Sequence, residues 1–312
     1  MNKAVAAFII FLCSSIVQAA PFRIALFAEN DAESVALAWK FANTIRQAEP
    51  FSRMGNQLEI KVYPDQANSL KCVAGAMGIP HLLSCNTAHM NQTKAQLKAN
   101  RIIAVTARLK GAAGGSSTVL GNDLRPGTPV HELFHTFGMG DEYDYPSRQH
   151  YLAYCNPPRF YPNVIPLLPS RSYVSDAEAR TRHKKDIPWF SEIKPATLIT
   201  TGTQLGTTGG LYPKEDAAFY RGGECSKWIP TWKPYYLETV MVRTEQVNVM
   251  PLHSKIAIRV MEAEMGRKIQ LLNATTSSSG DRRVSENFLR RIFKAVSGAT
   301  LDGQGKKSGK AK

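Results

Sequence analysis

Val130-His131-Glu132-Leu133-Phe134-His135-Thr136-Phe137-Gly138-Met139-Gly140-Asp141-Glu142-Tyr143 is the stretch on which this chain turns. It holds H-E-x-x-H followed by G-x-x-D. Positions four apart lie on one face of a helix, so His131 and His135 can aim two imidazoles at one metal ion. Glu132 sits beside them, where it can hold and deprotonate a water. Gly138 lets the helix end and the chain reverse, because a residue without Cβ accepts positive φ cheaply. Asp141 then returns towards the histidines as a third ligand. Three protein ligands and one open position describe a catalytic zinc site, whereas a structural site is closed by four. The expectation is one zinc ion held by His131, His135 and Asp141, with Glu132 as general base. A solvated pair on an amphipathic helix is the bland alternative, and the added Gly and Asp at the right offsets weigh against it.

Outward from this helix, the pattern alternates strand and helix. Phe22 to Ala28 and Arg101 to Ala107 are compact apolar runs, and Gln57 to Tyr63 alternates; all three predict strands. Asp31 to Gln47 and His89 to Asn100 predict helices. Gly114 to Gly121 predicts an edge strand, its Gly and Ser letting an extended backbone approach. Thr128 is the expected N-cap of the metal helix, with Pro129 at its first position. This alternation indicates an α/β lobe. Residues 144–240 are rich in Pro, Tyr, Trp and Gly without clear period, and Pro251 opens another helix. Ser285 to Val296 predicts a final amphipathic helix.

Residues 1–19 read as a signal peptide: Lys3, an apolar run from Ala4 to Val17, then Val17-Gln18-Ala19 at the cleavage position. The first expected strand follows so closely that no propeptide fits between. The protein is therefore expected to be exported, periplasmic or extracellular, without stable membrane insertion after cleavage. Cys72, Cys85, Cys155 and Cys225 remain, enough for two disulfides in an oxidising compartment. Of the three connectivities, Cys72–Cys85 with Cys155–Cys225 is favoured. Thiolate metal ligands are disfavoured because no C-x-x-C pair exists. The formal net charge of +14 favours acidic partners, acidic polypeptides among them. No nucleic-acid-binding motif is present. Tyr143 and Tyr220 are candidate donors to an oxyanion. The other histidines, His81, His89, His150, His183 and His253, lack a partner at ligand spacing.

H-E-x-x-H-x-x-G-x-x-(H or D) resembles the zinc signature of the metzincins, and Asp141-Glu142-Tyr143 is similar to the D-E-Y of the bacterial IgA-peptidase-type metallopeptidases. Tyr161-Pro162-Asn163-Val164, Ile187-Pro188-Trp189, Phe219-Tyr220-Arg221-Gly222 and Val240-Met241-Val242-Arg243 are also similar to segments of that family. The likeness spans about residues 100–265. That family usually carries one more residue between the second His and D-E-Y, and Phe134 replaces its frequent Gly. The shorter spacing here favours Asp141 as third ligand and leaves Glu142 as the alternative. The resemblance implies a Met-turn at Met241, with Met250 as competitor, and zinc-dependent hydrolysis of peptide bonds. Immunoglobulin as substrate does not follow from it. The implied fold is zincin-like: a mixed twisted sheet with the active-site helix in an N-terminal lobe, residues 20–143. An irregular C-terminal lobe ending in helices covers 144–297, and a basic tail 298–312. The competing functions are a catalytically silent binding protein of the same fold and a basic protein that binds cell-surface polymers.

Overall fold

Phe22–Ala28 forms β1, buried on both faces apart from the half-exposed Arg23, as a strand inside a parallel sheet must be. The computed structural model describes residues 20–115, 117–122, 124–169 and 172–273. Helix α1 (Ala32–Gln47) follows, N-capped by Asp31, whose side chain accepts the Ser34 N–H at 2.8 Å. Its Ala38, Phe41, Ala42 and Ile45 are buried. The chain returns as β2 (Leu58–Pro64), parallel to β1 and paired Phe22 to Leu58 through Ala28 to Pro64. Helix α2 (Thr87–Gln96), capped by Asn86, leads into β3 (Arg101–Lys110), parallel to β1 on its other side.

After β3 come β4 (Ala112–Ala113) and β5 (Thr118–Asn122), and the strand order is β2-β1-β3-β5-β4. All pairs are parallel except β4 with β5. This corrects the expected edge strand across Gly114 to Gly121. Thr118-Val119-Leu120 is fully buried between two neighbours, and the rim falls to the two alanines before the glycines. Small residues sit where backbone comes close. A Cβ on Gly121 would lie 2.5 Å from the Leu109 carbonyl oxygen.

Helix α3 (Thr128–His135) packs Val130, Leu133 and Phe134 inward, all fully buried. The Phe134 and Phe137 rings meet Phe51, and Phe137 also meets Phe22 at 6.0 Å, so a phenylalanine cluster seats the helix against the sheet side. Its N-cap is Gly127, one residue earlier than expected, and Thr128 is the first helical residue. The Gly127 N–H donates to the Thr244 carbonyl at 2.7 Å, and a Cβ there would lie 2.6 Å from the Gln246 oxygen. Close approach of a distant loop therefore takes the cap position that a Thr side chain would have used.

Beyond Tyr143 the chain is mostly irregular, with α4 (Arg148–Tyr154), α5 (Asp176–His183), short two- and three-stranded ribbons, and α6 (Pro251–Met265). The described residues thus form a mixed α/β fold with a five-stranded, mostly parallel sheet and six α-helices. Residues on both sides of position 143 belong to one compact unit reaching Gln270; a second unit begins at Leu271. Two disulfides are formed, Cys72–Cys85 and Cys155–Cys225, as favoured from the sequence. Two cross-links fit an oxidising, extracytoplasmic compartment. Among the described residues no helix is long and apolar enough to cross a membrane. The signal segment, the expected helix Ser285 to Val296 and the basic tail lie outside the described residues.

Candidate metal centre

His131 and His135 stand one turn apart on α3 with ring centroids 4.7 Å apart. Each Nδ1 faces a backbone carbonyl: His131 that of Val240 at 2.9 Å, His135 that of Met139 at 2.8 Å. A carbonyl can only accept, so both Nδ1 atoms carry hydrogen and donate. In the neutral rings both Nε2 lone pairs then face each other, 3.1 Å apart. Gly138 takes φ +82° after the helix and turns the chain back, as expected. That turn delivers Asp141 Oδ1 to 3.0 Å from His131 Nε2 and 3.4 Å from His135 Nε2. Three electron-pair donors therefore converge, and Asp141 Oδ1 is buried without a hydrogen-bond partner among the described residues. A tetrahedral ion about 2.0–2.1 Å from its ligands separates them by about 3.3–3.4 Å, close to the spacings here. The donor set and its geometry fit a metal ion.

The three side chains also act on one another's charge. Burial works to lower the His135 pKa, but the Asp141 carboxylate overrides it and raises it to about 10. Burial would raise Asp141, yet His135 and His131 hold it far below the usual carboxylate range. The Asp141 carboxylate and the two imidazoles thus attract one another across the point where the three side chains meet. Glu132 is raised, chiefly by burial, with the two histidines opposing. Its carboxylate lies beside Gly114: a Cβ there would sit 2.6 Å from Glu132 Oε2 and 2.3 Å from His135 Cδ2. Only glycine allows the rim strand to pass so close to the expected base.

Asp141 is held from several sides. The Tyr145 hydroxyl donates to its Oδ2 at 2.9 Å, which leaves Oδ1 free for the centre. Glu224 Oε1 accepts the Asp141 N–H at 3.0 Å; burial, then the Asp141 charge, raises the Glu224 pKa to about 8. Glu142, the alternative ligand, points elsewhere. Fully buried, it accepts from Asn163 Nδ2, His253 Nε2 and Thr239 Oγ1 at 3.1, 2.8 and 2.9 Å. Burial alone would raise its pKa, but His253, Lys233 and Asn163 lower it. The Glu142 N–H donates to the Met241 carbonyl at 3.0 Å, so buried Met241 lies in the turn backing the D-E-Y segment. Met250 is instead the N-cap of α6.

A cleft of about 180 Å³ opens over the centre, bordered by Glu132, Gly114, Tyr143, His81, His150 and Tyr154 among others. Tyr143 stacks near His131, with ring centroids 6.1 Å apart, whereas Tyr220 packs on Tyr236 away from the cleft. His81 and His150 face each other in the cleft at 5.9 Å. His89 pairs with Asp65, His183 bridges Tyr173 and Asp186, and His253 serves Glu142. Sequence reading missed Tyr145, Asn163, Glu224 and His253. Tyr145 carried a local clue, alternating with Tyr143 along the loop, and Asn163 lay in one of the family-like segments without a role assigned to it. No protein-family model matches the chain, and a search of curated proteins found no match.

Proposed function

We propose that this protein is an exported, zinc-dependent endopeptidase of metzincin type. The observation that carries the reading is the convergence of His131 Nε2, His135 Nε2 and Asp141 Oδ1 in a cleft that Glu132 also borders. Both histidines present one nitrogen to the centre and donate the other N–H to a carbonyl, the arrangement usual for metal-ligating imidazoles. Bound there, zinc would lower the pKa of a coordinated water towards about 7 and polarise a peptide carbonyl. Glu132, half-buried on the wall of the cleft, would accept the proton of a water held there and return it to the leaving amine. The net charge of +14 favours acidic polypeptides as substrates.

Metal analysis and peptide-library profiling test this directly. Wild-type protein is expected to hold one zinc per chain and His135→Ala little. Glu132→Ala should keep the zinc and lose about a hundred- to ten-thousand-fold in cleavage rate. Wild-type zinc content in His135→Ala would overturn the metal assignment. Cleavage by Glu132→Ala within about threefold of wild type would remove Glu132 from the role of base.

A further inference from the structure

Glu224 is a buried carboxylate, 2% exposed, that the proposed chemistry does not use. It ends the run Arg221-Gly222-Gly223-Glu224, in which the last three residues all have positive φ, +140°, +93° and +33°. Glycines take such angles freely; a glutamate there is strained, and strain of this kind persists only where the surroundings fix it. What fixes it is the ligand loop. The Glu224 N–H donates to the Asp141 carbonyl at 3.1 Å, and the Glu224 carbonyl accepts the Tyr145 N–H at 2.8 Å. The side chain then closes a ring by accepting the Asp141 N–H at 3.0 Å. Gly223 reinforces the contact, its N–H donating to Asp144 Oδ1 at 3.0 Å. Space is tight as well: a Cβ on Gly140 would lie 2.7 Å from Glu224 Oε1. The next residue, Cys225, is bonded to Cys155, so the run cannot drift from the loop.

We propose that Glu224 is the positioning residue for the metal's carboxylate ligand: by taking both the N–H and the C=O of Asp141 it sets where Oδ1 lies relative to the two histidines. This rests on the metal-centre reading above. A neutral filler would seat the loop but leave the Asp141 N–H buried and unsatisfied, which is costly. The role needs an acceptor at the end of a three-carbon reach, and charge is secondary. Glutamine, whose amide oxygen can take the same bond, should therefore replace Glu224. Aspartate, which keeps the charge but stops one methylene short, should not.

The test compares Glu224→Gln, Glu224→Asp and Glu224→Gly. The readouts are zinc affinity by chelator competition, the visible spectrum of the cobalt-loaded protein, and Asp141 amide exchange in metal-free protein. Glycine suits the backbone angle and so offsets part of the cost of the unpaired Asp141 N–H; circular dichroism checks that Glu224→Gly keeps the fold, and Glu224→Asp carries the comparison if it does not. We expect Glu224→Gln to stay within about threefold of wild-type zinc affinity with an unchanged cobalt spectrum. Glu224→Asp and Glu224→Gly should each lose about 10–100-fold, the range for groups that orient a metal ligand. Their cobalt bands should shift and their Asp141 amide should exchange faster. Wild-type affinity and spectrum in Glu224→Gly, or a loss in Glu224→Gln equal to that in Glu224→Asp, would overturn the proposal. If wild type and His135→Ala alike bind no zinc, it is the metal-centre reading that fails. Amide exchange in metal-free protein would then still report whether Glu224 holds Asp141.

Discussion

The two halves of the candidate metal centre are held by different physics. The histidines ride on α3, whose inward face of Val130, Leu133 and Phe134 is buried against a phenylalanine cluster. The carboxylate rides on residues 140–145, which have no regular structure and are fixed by polar contacts. Asn163 takes both the N–H and the C=O of Gly140, at 2.8 and 2.9 Å; Glu224 does the same for Asp141; Met241 accepts the N–H of Glu142. Apolar packing tolerates small shifts because it is non-directional, whereas a hydrogen-bonded loop has one seat. The helix therefore supplies stability, and the loop supplies geometry.

The sharpest way to break that comparison uses the two disulfides. Cys155–Cys225 spans 70 residues and ends beside Glu224, in the polar half; Cys72–Cys85 spans 13 and belongs to the sheet side. In the chain-entropy model the long bridge contributes roughly 4 kcal/mol at most and the short one roughly 3. Cys155→Ser/Cys225→Ser should lower both thermal stability and zinc affinity. Cys72→Ser/Cys85→Ser should lower stability alone. Equal effects on zinc affinity would show that the polar half is not separately braced.

A smaller effect is expected at the rim. Gly114→Val would drive a side chain into Glu132 and His135. Misplacing a catalytic group by about 1 Å can cost about a hundredfold, so cleavage should fall by that order with the fold intact by circular dichroism. Activity near wild type would mean the rim strand gives way freely. Smaller again is Tyr145→Phe, which removes only the hydroxyl on Asp141 Oδ2. Zinc affinity by chelator competition should drop about tenfold, as for groups that orient metal ligands, while the melting temperature of metal-free protein barely moves. A large fall in that temperature instead would make the hydroxyl a packing element.

The smallest effect is a slope. Glu142 is held below its ordinary value of 4.5 in the folded protein. Its contribution to stability is therefore fully present above about pH 4.5 and is lost as pH falls through the depressed folded value. Acid unfolding followed at several pH values should show wild type losing stability below that point more steeply than Glu142→Gln. Parallel curves would mean that the carboxylate is not ionised in the fold.

What could be read from the sequence divides along the same line. The three longer strands β1, β2 and β3, α1, the metal helix and its reversal at Gly138 were legible, because apolar periodicity and a fixed ligand spacing are local signals. The edge strand was misplaced because Val119 and Leu120, alone in a Gly- and Ser-rich stretch, look marginal; their burial between two neighbours depends on strands elsewhere. The N-cap moved from Thr128 to Gly127 because the Thr244 carbonyl, far along the chain, takes the N–H. Asp141 could be favoured over Glu142 from spacing. Their separation in space is set by Asn163, Thr239, Glu224 and His253, polar residues without any periodic mark.

His253 also gives the centre a history. It stands 111 positions after Glu142, on α6, and its Nε2 meets the Glu142 carboxylate deep in the interior. A chain made from its N-terminus exposes His131, Glu132 and His135 long before that partner exists. Until α6 docks, Glu142 belongs in water, and the loop that carries Asp141 has no reason to close. On the proposed reading, hydrolytic competence waits for α6, the last helix among the described residues, and a nascent chain is spared its own chemistry by the order in which its parts arrive.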